Sequence, residues 1–219
     1  MDGYMIFFII LTGAMAHQDL RDKVFVFPRQ NDYSYFILKP EEPKPMRSFT
    51  VCLRSFTEST EYSLFSLATA REDNAILIYP MPGNVVYVYV GNEEIHFKVN
   101  EDLLKWKHIC VSWESAMGMV QLWVEGKLYP RKVCNRGYSL PASTSIILGH
   151  KQDSYRKNVS KNHCFSGEIR DVHMWDYVLS SEKMQKVSLN EFNGNVLSWR
   201  SLKFQSQGNV IIEPNILSR

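Results

Sequence analysis

Polar and apolar residues alternate along most of the chain, and this period of two predicts strands rather than helices. Residues 48–53, 108–113 and 120–124 alternate in this way, and residues 85–90 are β-branched or aromatic throughout. Both patterns are typical of strands that are half or fully buried. Further strands are predicted at residues 24–27, 34–38, 63–68, 74–79, 94–99, 144–148, 167–175, 196–199 and 209–212.

Turn-forming residues separate these segments, as at residues 80–84 and 91–92. Many short strands at nearly regular spacing favour an all-β sandwich over alternating strands and helices. Residues 180–189 differ, because they begin with a serine and place Met184 and Val187 on one side of a helix. The sequence therefore predicts one all-β domain with one short surface helix.

The N-terminal residues 4–11 are apolar and uncharged. This run is too short to span a bilayer, which takes about 20 residues. The small-x-small pattern at residues 14–16 follows it, so residues 1–16 are predicted to be a secretory signal peptide cleaved after Ala16. A buried N-terminal strand is the alternative. Because no later run is long and apolar enough to cross a membrane, we expect an exported protein whose residues 17–219 form a single domain.

Composition and charge narrow the class of protein. The chain has 219 residues, of which 45% are hydrophobic and 22% are charged, as in ordinary packed globular proteins. Its formal net charge of +2 gives no electrostatic reason to expect a sequence-specific nucleic-acid partner. Four cysteines are far fewer than a disulfide scaffold of this length needs, so the core must come from side-chain packing.

The four cysteines fall into two groups by their surroundings. Cys52 and Cys110 lie in the middle of predicted strands, whereas Cys134 and Cys164 lie in polar, loop-like sequence. An exported chain meets an oxidising compartment, in which both pairs could form bridges. The alternative for the second pair is two free or intermolecularly paired thiols, and the sequence alone leaves three connectivities open.

Residues 108–115 read His-Ile-Cys-Val-Ser-Trp-Glu-Ser. They match the pentraxin signature His-x-Cys-x-Ser/Thr-Trp-x-Ser/Thr at every fixed position, so the chain resembles the short pentraxins. The resemblance extends over the whole predicted mature chain. It includes residues 23–28, 73–74, 147–149, 152–154, 167–169, 174–176 and 195–199.

This resemblance implies a jelly-roll β-sandwich of the legume-lectin type, with one helix on one face and a calcium-dependent ligand site on the opposite face. It also implies a disulfide between Cys52 and Cys110 and a homopentamer. The family consists of secreted pattern-recognition proteins of innate immunity, including acute-phase proteins, and not of enzymes. The implied ligands are phosphorylated head groups or acidic carbohydrates on microbial or damaged-cell surfaces.

The calcium ligands that the resemblance implies are only partly present. Calcium takes about six to eight oxygen ligands, several of them carboxylates. The matching residues are Asp73, Asn74, Gln152 through its backbone carbonyl, and Asp153. Three positions depart from the family pattern: Lys151 replaces a bridging glutamate, Ser160 replaces an acid and His163 replaces a glutamine.

Lys151 puts a positive charge where the family has a negative one, and this disfavours a divalent cation. An ion pair of Lys151 with Asp73 or Asp153 is an alternative that replaces part of the ion's charge. Without the resemblance, Asp73 and Asn74 read as an ordinary turn. We therefore expect weak calcium binding, with at most one ion per subunit.

Leu77, Tyr79 and Tyr89 match, by the resemblance, the side chains that hold the organic part of the ligand. An exposed aromatic face attracts an amine head group by about 0.5–1 kcal/mol. The alternative is that these tyrosines simply face solvent on a strand. Asn158 belongs to the only Asn-x-Ser/Thr sequon of the chain and is a candidate glycosylation site near the ligand, unless the match arose by chance.

Three other functions fit parts of the sequence. A glycoside hydrolase needs two carboxylates about 5–9 Å apart, and no Glu-x-Asp-x-x-Glu array is present. His150, His163, Cys164 and Asp153 lie close together in sequence and could form a zinc site. An adhesion module of the laminin-G type shares the sandwich, but the complete signature favours a pentraxin. Within that family, a calcium-independent structural or adhesion lectin module is the alternative to a pattern-recognition protein.

Overall fold

The computed structural model describes residues 19–100, 104–154, 158–159 and 163–216. Its regular structure is mostly β-strand. In chain order the elements are β1 (Lys23–Phe27), β2 (Tyr35–Lys39), β3 (Ser48–Phe56), β4 (Phe65–Thr69), β5 (Ile76–Met81), β6 (Val85–Val90), β7 (Glu93–Lys98), β8 (Lys107–Glu114), β9 (Met119–Val124), β10 (Lys127–Leu128), β11 (Lys132–Val133), β12 (Thr144–Leu148), β13 (Gln152–Ser154), β14 (Asn158–Val159), β15 (Gly167–Trp175), α1 (Ser181–Ser188), a 3₁₀ helix (Trp199–Ser201), β16 (Lys203–Gln207) and β17 (Ile211–Pro214).

Two large antiparallel sheets pack against each other. The eight-stranded sheet has the order β10-β9-β8-β3-β15-β1-β17, with β11 paired to β9. The seven-stranded sheet has the order β16-β2-β12-β4-β5-β6-β7, and β13 pairs with β14 in a separate hairpin. Several neighbouring strands are far apart in sequence, as in a jelly roll. The predicted all-β sandwich is therefore confirmed.

The motif at residues 108–115 builds part of the core through β8. Ile109 and Trp113 belong to the main core cluster, whereas Cys110 lies on the outer face of the eight-stranded sheet. The Trp113 indole is fully buried, and its N–H donates to the backbone oxygen of Cys134 at 3.0 Å. Truncating a buried side chain of this size typically costs about 3–5 kcal/mol. Alternation along the motif thus supplies a core tryptophan and an outward-facing cysteine from one strand.

The outer face of the eight-stranded sheet is covered by α1 and is called the helix face below. Ser180 caps α1, because its side-chain oxygen accepts a hydrogen bond from a backbone N–H of the first turn. Met184 and Val187 are buried against Trp175. The helix predicted at residues 180–189 is therefore confirmed.

Cys52 and Cys110 pair across β3 and β8 and form a disulfide, as the resemblance implied. Cys134 and Cys164 are both buried and not disulfide-bonded, so the possible second bridge between them is not formed. The fold places them in different loops. The thiol of Cys134 donates to the backbone oxygen of Glu93 beside the β6–β7 turn, whereas Cys164 lies just before β15.

The outer face of the seven-stranded sheet is called the ligand face below. Ile76 and Ile78 of β5 pack in the core. Because side chains alternate along a strand, Leu77 and Tyr79 lie on the ligand face. Tyr89 of β6 pairs with Leu77 and lies on the same face. The three predicted pocket residues therefore share one surface of the sheet.

The C-terminal region differs from its prediction. Residues 196–199 do not form a strand, since Leu197 makes only an isolated bridge to Met174 and a 3₁₀ helix begins at Trp199. The buried Trp199 indole donates to the backbone oxygen of Leu20 at 2.7 Å, and this contact diverts the chain. β16 went unpredicted because it is a polar edge strand, and the strand predicted at residues 209–212 is observed as β17.

Some predictions fall on residues whose structure is not described. The predicted signal peptide, residues 1–16, and Ser160 lie outside the described residues, and only the backbone of Asn158 is described, in β14. In the described part of the chain, no helix is long and apolar enough to cross a membrane.

Candidate ligand and cation site

The turn at Asp73 and Asn74 precedes β5 and is held by the tight turn between β6 and β7. The Asn74 N–H donates to Asn92 Oδ1 at 3.0 Å, and the Asn92 N–H donates to the Asn74 backbone oxygen at 3.0 Å. Gly91 and Asn92 have φ values of 56° and 64°, which a two-residue hairpin turn of this type requires. A Cβ at Gly91 would overlap the side chains of Asn135 and Tyr138, so a larger residue requires them to shift.

Gln152 fixes the segment that carries Asp153. Its side chain is fully buried, and its Nε2 donates to the backbone oxygens of Ser66 and Ser145, both at 3.0 Å. Its own backbone N–H donates to Ser66 Oγ at 3.2 Å. These bonds hold β13 across β4 and β12, beside the strand that the Asp73 turn precedes. The Gln152 side chain therefore fixes the backbone of β13, and a ligand role of its carbonyl oxygen stays a prediction.

The oxygen atoms around this turn fit a calcium ion only in part. Asn74 Oδ1 is buried and has no hydrogen-bond partner, as expected for an oxygen that can serve as a cation ligand. Asp73 and Asp153 are exposed carboxylates. With the Gln152 carbonyl, four residues offer oxygen ligands, whereas calcium takes about six to eight ligands and each carboxylate supplies one or two. Water would have to complete the shell.

Lys151 is half-buried at the position where the family has a glutamate. Among the ion pairs of the described residues, none joins Lys151 to Asp73 or Asp153, so the predicted compensating ion pair is not formed. Lys151 directly precedes Gln152 and Asp153 in the chain, so its positive charge opposes a cation bound by them.

His163 is held away from a ligand role by two polar neighbours. Its Nδ1 lies 2.5 Å from Glu61 Oε1 and contacts the Tyr79 hydroxyl. That hydroxyl donates to the same Glu61 oxygen at 2.7 Å. Burial, followed by the bond to Glu61, raises the pKa of Tyr79 well above its usual value. Tyr79 is 8% exposed, so its side chain is buried at the site and does not simply face solvent.

Tyr89 is the more accessible of the two tyrosines. It is half-exposed, and its hydroxyl donates to Glu94, its cross-strand neighbour on β7. Burial and this bond raise the pKa of Tyr89. Leu77 is 1% exposed and packs beneath the surface. The ligand face therefore presents an aromatic ring beside a carboxylate, an arrangement that suits a positively charged group.

Glu61 and Glu94 are site residues that the sequence analysis missed. Glu94 could have been found from the hairpin itself, because a two-residue turn at residues 91–92 places it opposite Tyr89. Glu61 lies in a loop and reaches Tyr79 only through the tertiary fold, so no local pattern reports it.

An open groove of about 950 Å³ adjoins the His163–Glu61 pair. Its lining is polar and consists of Gln30, Asn31, Glu58, Ser59, Thr60, Glu61, His163, Cys164 and Ser166. The groove extends the ligand face towards the loop before β4.

The alternative zinc site is not assembled. In the part of the chain that the structure describes, His150, His163, Cys164 and Asp153 do not bring three ligand atoms within 4.8 Å of one another. His150 is fully buried and packs edge-on against the Tyr35 ring, while His163 is engaged by Glu61. The four candidate zinc ligands are close in sequence but do not form one coordination site.

The molecule is a sandwich of two antiparallel sheets. One outer face carries a helix and a disulfide, and the other carries tyrosines, carboxylates and an amide oxygen without a hydrogen-bond partner. These features define a jelly-roll binding protein of the lectin type. The Pentaxin family model matches residues 23–214. The chain therefore belongs to the pentraxin family, as residues 108–115 had indicated.

Relatives and solved structures agree with this assignment. The chain is 46% identical to C-reactive protein of Xenopus laevis over 219 residues, covering 98% of this chain and 92% of that protein. It is 43% identical to human C-reactive protein over 217 residues, covering 95% and 96%. The native heptameric SAP-like pentraxin from Limulus polyphemus has the same fold, with a TM-score of 0.79 and 22% identity over 91% of this chain and 98% of that one.

Proposed function

We propose that this protein is a secreted pattern-recognition pentraxin that binds phosphorylated or anionic head groups on microbial or damaged-cell surfaces. Binding takes place on the ligand face, without catalysis. Membership of a family of ligand-binding proteins supports this function, as does the array of polar groups on one surface of the sheet.

The observation that carries the proposal is the pairing of Tyr89 with Glu94 close to the Asp73–Asn74 turn. An aromatic ring and a carboxylate attract the amine of a head group without any cation. A weakly held cation at the turn adds to binding by attracting the phosphate of the same head group. Both halves of a zwitterionic head group therefore find partners on one face.

Calcium is expected to bind this face weakly, with at most one ion per subunit. At an effective dielectric constant of about 20, a lysine charge 4 Å from a divalent ion costs about 8 kcal/mol before the side chain moves away or water screens it. After Lys151 moves and water screens its charge, part of this electrostatic cost remains. Every 1.4 kcal/mol of it lowers calcium affinity about tenfold. The pairing of His163 with Glu61 removes a further ligand position.

Calorimetric titration of calcium into chelator-treated protein tests this proposal, together with binding to phosphocholine on a sensor surface. We expect at most one weakly bound ion per subunit and head-group binding that responds little to chelator. Two ions per subunit at micromolar affinity would show that the residue matching around Lys151 is wrong. No binding to phosphocholine, phosphoethanolamine or acidic carbohydrate would contradict the head-group function.

A second candidate is a calcium-independent structural or adhesion lectin module. The internal pairing of His163, Glu61 and Tyr79 favours it, because these side chains bind one another rather than a cation. This candidate predicts carbohydrate or matrix binding that is unchanged by chelator and by substitution of Asp73.

Export, assembly and glycosylation complete the proposal. We propose cleavage after Ala16, a homopentamer, and a glycan on Asn158. N-terminal sequencing of secreted protein that begins upstream of His17 would refute the cleavage site. Light scattering that gives a monomer mass at micromolar concentration would refute the ring, and an unchanged mass after glycosidase treatment would refute the glycan.

A further inference from the structure

Four soft metal-binding atoms meet beneath α1 on the helix face. Met184 Sδ lies 3.9 Å from Cys52 Sγ, and His108 Nε2 lies 3.5 Å from Cys110 Sγ. The sulfur atoms of both cysteines and a ring nitrogen of His108 all lie within 4.8 Å of one another. None of the four side chains is more than 4% exposed. This is a dry cluster of three sulfur atoms and one imidazole.

Three elements bring these atoms together. Cys52 of β3 pairs directly with Cys110 of β8, and His108 stands two residues before Cys110 on the same face. Met184 of α1 packs against the two cysteines. The ring of His108 is buried, and its Nε2 lies against the sulfur of Cys110.

We propose that reduction of the Cys52–Cys110 disulfide opens a buried site for one monovalent copper ion, held by both thiolates, the His108 imidazole and the Met184 thioether. Thiolate, thioether and imidazole are the donors that soft Cu(I) prefers. While the disulfide is intact both sulfur atoms are bonded to each other, and the site is closed.

The chemistry balances with an external thiol as the reductant. Two small thiols give two electrons and two protons to the disulfide, which yields two cysteine thiols and one small-molecule disulfide. Binding of Cu(I) then releases both thiol protons to solvent, and copper keeps its oxidation state throughout.

Arg54 and Arg170 both lie against the single carboxylate of Asp171, so this group keeps one net positive charge near the proposed site. Two thiolates and one Cu(I) carry a net charge of −1, which is costly to bury alone. Arg54 pairs with His108 across β3 and β8. Its guanidinium also lies 3.2 Å from Asp171 and donates to the Ser188 backbone oxygen at 2.5 Å. Arg54 therefore joins the sheet to the helix that supplies the thioether.

The test starts from full-length protein carrying Cys134→Ser and Cys164→Ser, which removes the two other thiols. This protein is reduced with a water-soluble phosphine under nitrogen, freed of reductant, and titrated with Cu(I) against a chromogenic chelator. We expect one copper per subunit after reduction and none before it. X-ray absorption is expected to show copper bound by sulfur and nitrogen.

Two further variants separate the site from adventitious binding. Met184→Leu keeps the side-chain volume and removes the thioether, and we expect an about tenfold or larger loss of copper affinity, as is typical when a group around a metal is altered. Met117→Leu, at an exposed methionine, is the matched control and should change nothing. Far-UV circular dichroism verifies that each reduced protein is folded. Equal copper binding by a Cys52→Ser/Cys110→Ser variant, or an unchanged affinity in Met184→Leu, would overturn the proposal.

Discussion

The two outer faces of the sandwich are closed in different ways. The helix face is sealed by apolar packing of α1 and by a covalent bond between β3 and β8. The ligand face is closed by polar contacts, in which Gln152 holds one loop and Glu61 holds Tyr79 and His163. The ligand face also holds the exposed carboxylates of Asp73 and Asp153 and the amide oxygen of Asn74, which has no hydrogen-bond partner. Substitutions on the helix face should therefore change stability, whereas substitutions on the ligand face should change binding.

The largest expected effect is on the helix face. Cys52→Ala with Cys110→Ala removes a bond that closes a sequence separation of 58 residues. We expect the free energy of unfolding to fall by about 4 kcal/mol, because the unfolded chain regains that loop's entropy. Denaturant unfolding measures the loss. The matched control is Cys134→Ala with Cys164→Ala, which removes two buried thiols and no cross-link. Equal losses in both pairs would show that the bond itself contributes little.

The next effect belongs to the ligand face. Lys151→Glu with Ser160→Glu changes the local charge by three units and restores two carboxylates, so calcium affinity should rise about 100-fold, or about 2.7 kcal/mol. Calorimetric titration of calcium measures the change. Lys203→Glu with Ser206→Glu makes the same charge change on the exposed edge strand β16 and should leave calcium affinity unaltered. A comparable rise in that control would mean that net charge, not the site, controls affinity.

Acid should weaken the helix face selectively. Burial, and secondarily Arg200, lower the pKa of His173 from 6.5 to about 4. Its Nδ1 accepts hydrogen bonds from the backbone N–H groups of Gly194 and Trp199, so the neutral ring is the native form. The unfolded chain therefore binds the proton first as pH falls below 6.5. Above that pH, the neutral His173 contributes fully to the free energy of unfolding. Near pH 5, protonation of this histidine in the unfolded chain lowers the free energy of unfolding by about 2 kcal/mol.

His173→Asn tests this pH dependence, because the asparagine oxygen can accept the same hydrogen bonds without titrating. Urea unfolding near pH 7.5 and pH 5 should show a smaller acid loss than the parent protein shows. His96→Asn replaces an exposed histidine and serves as the control. If both variants lose as much stability in acid as the parent, His173 does not couple protonation to folding.

The smallest effect concerns the accessible ring of the ligand face. Tyr89→Leu should weaken phosphocholine binding about two- to fivefold, which corresponds to the loss of about 0.5–1 kcal/mol of cation–π attraction. Surface plasmon resonance measures it. Tyr177→Leu removes a tyrosine from the helix face, where Lys183 lies over its ring, and should leave binding unchanged. An effect of the same size in both would place the head group elsewhere.

Elements whose signal is local could be predicted from the sequence. The period of two gave the sandwich strands, Ser180 gave the start of α1, and residues 108–115 gave the family and, through it, the Cys52–Cys110 bond. These features depend on the order of neighbouring residues, which the chain itself carries. The placement of Leu77 and Tyr89 on one face also follows from alternation along β5 and β6.

Only the tertiary structure decided which side chains meet across loops. It separated Cys134 from Cys164, placed His163 against Glu61, and formed no ion pair between Lys151 and either candidate aspartate. It also replaced a predicted strand with a 3₁₀ helix, because the Trp199 indole bonds to a backbone oxygen near the other end of the chain. Such contacts join residues that are distant in sequence, and their geometry is set by packing of the two sheets rather than by any local pattern.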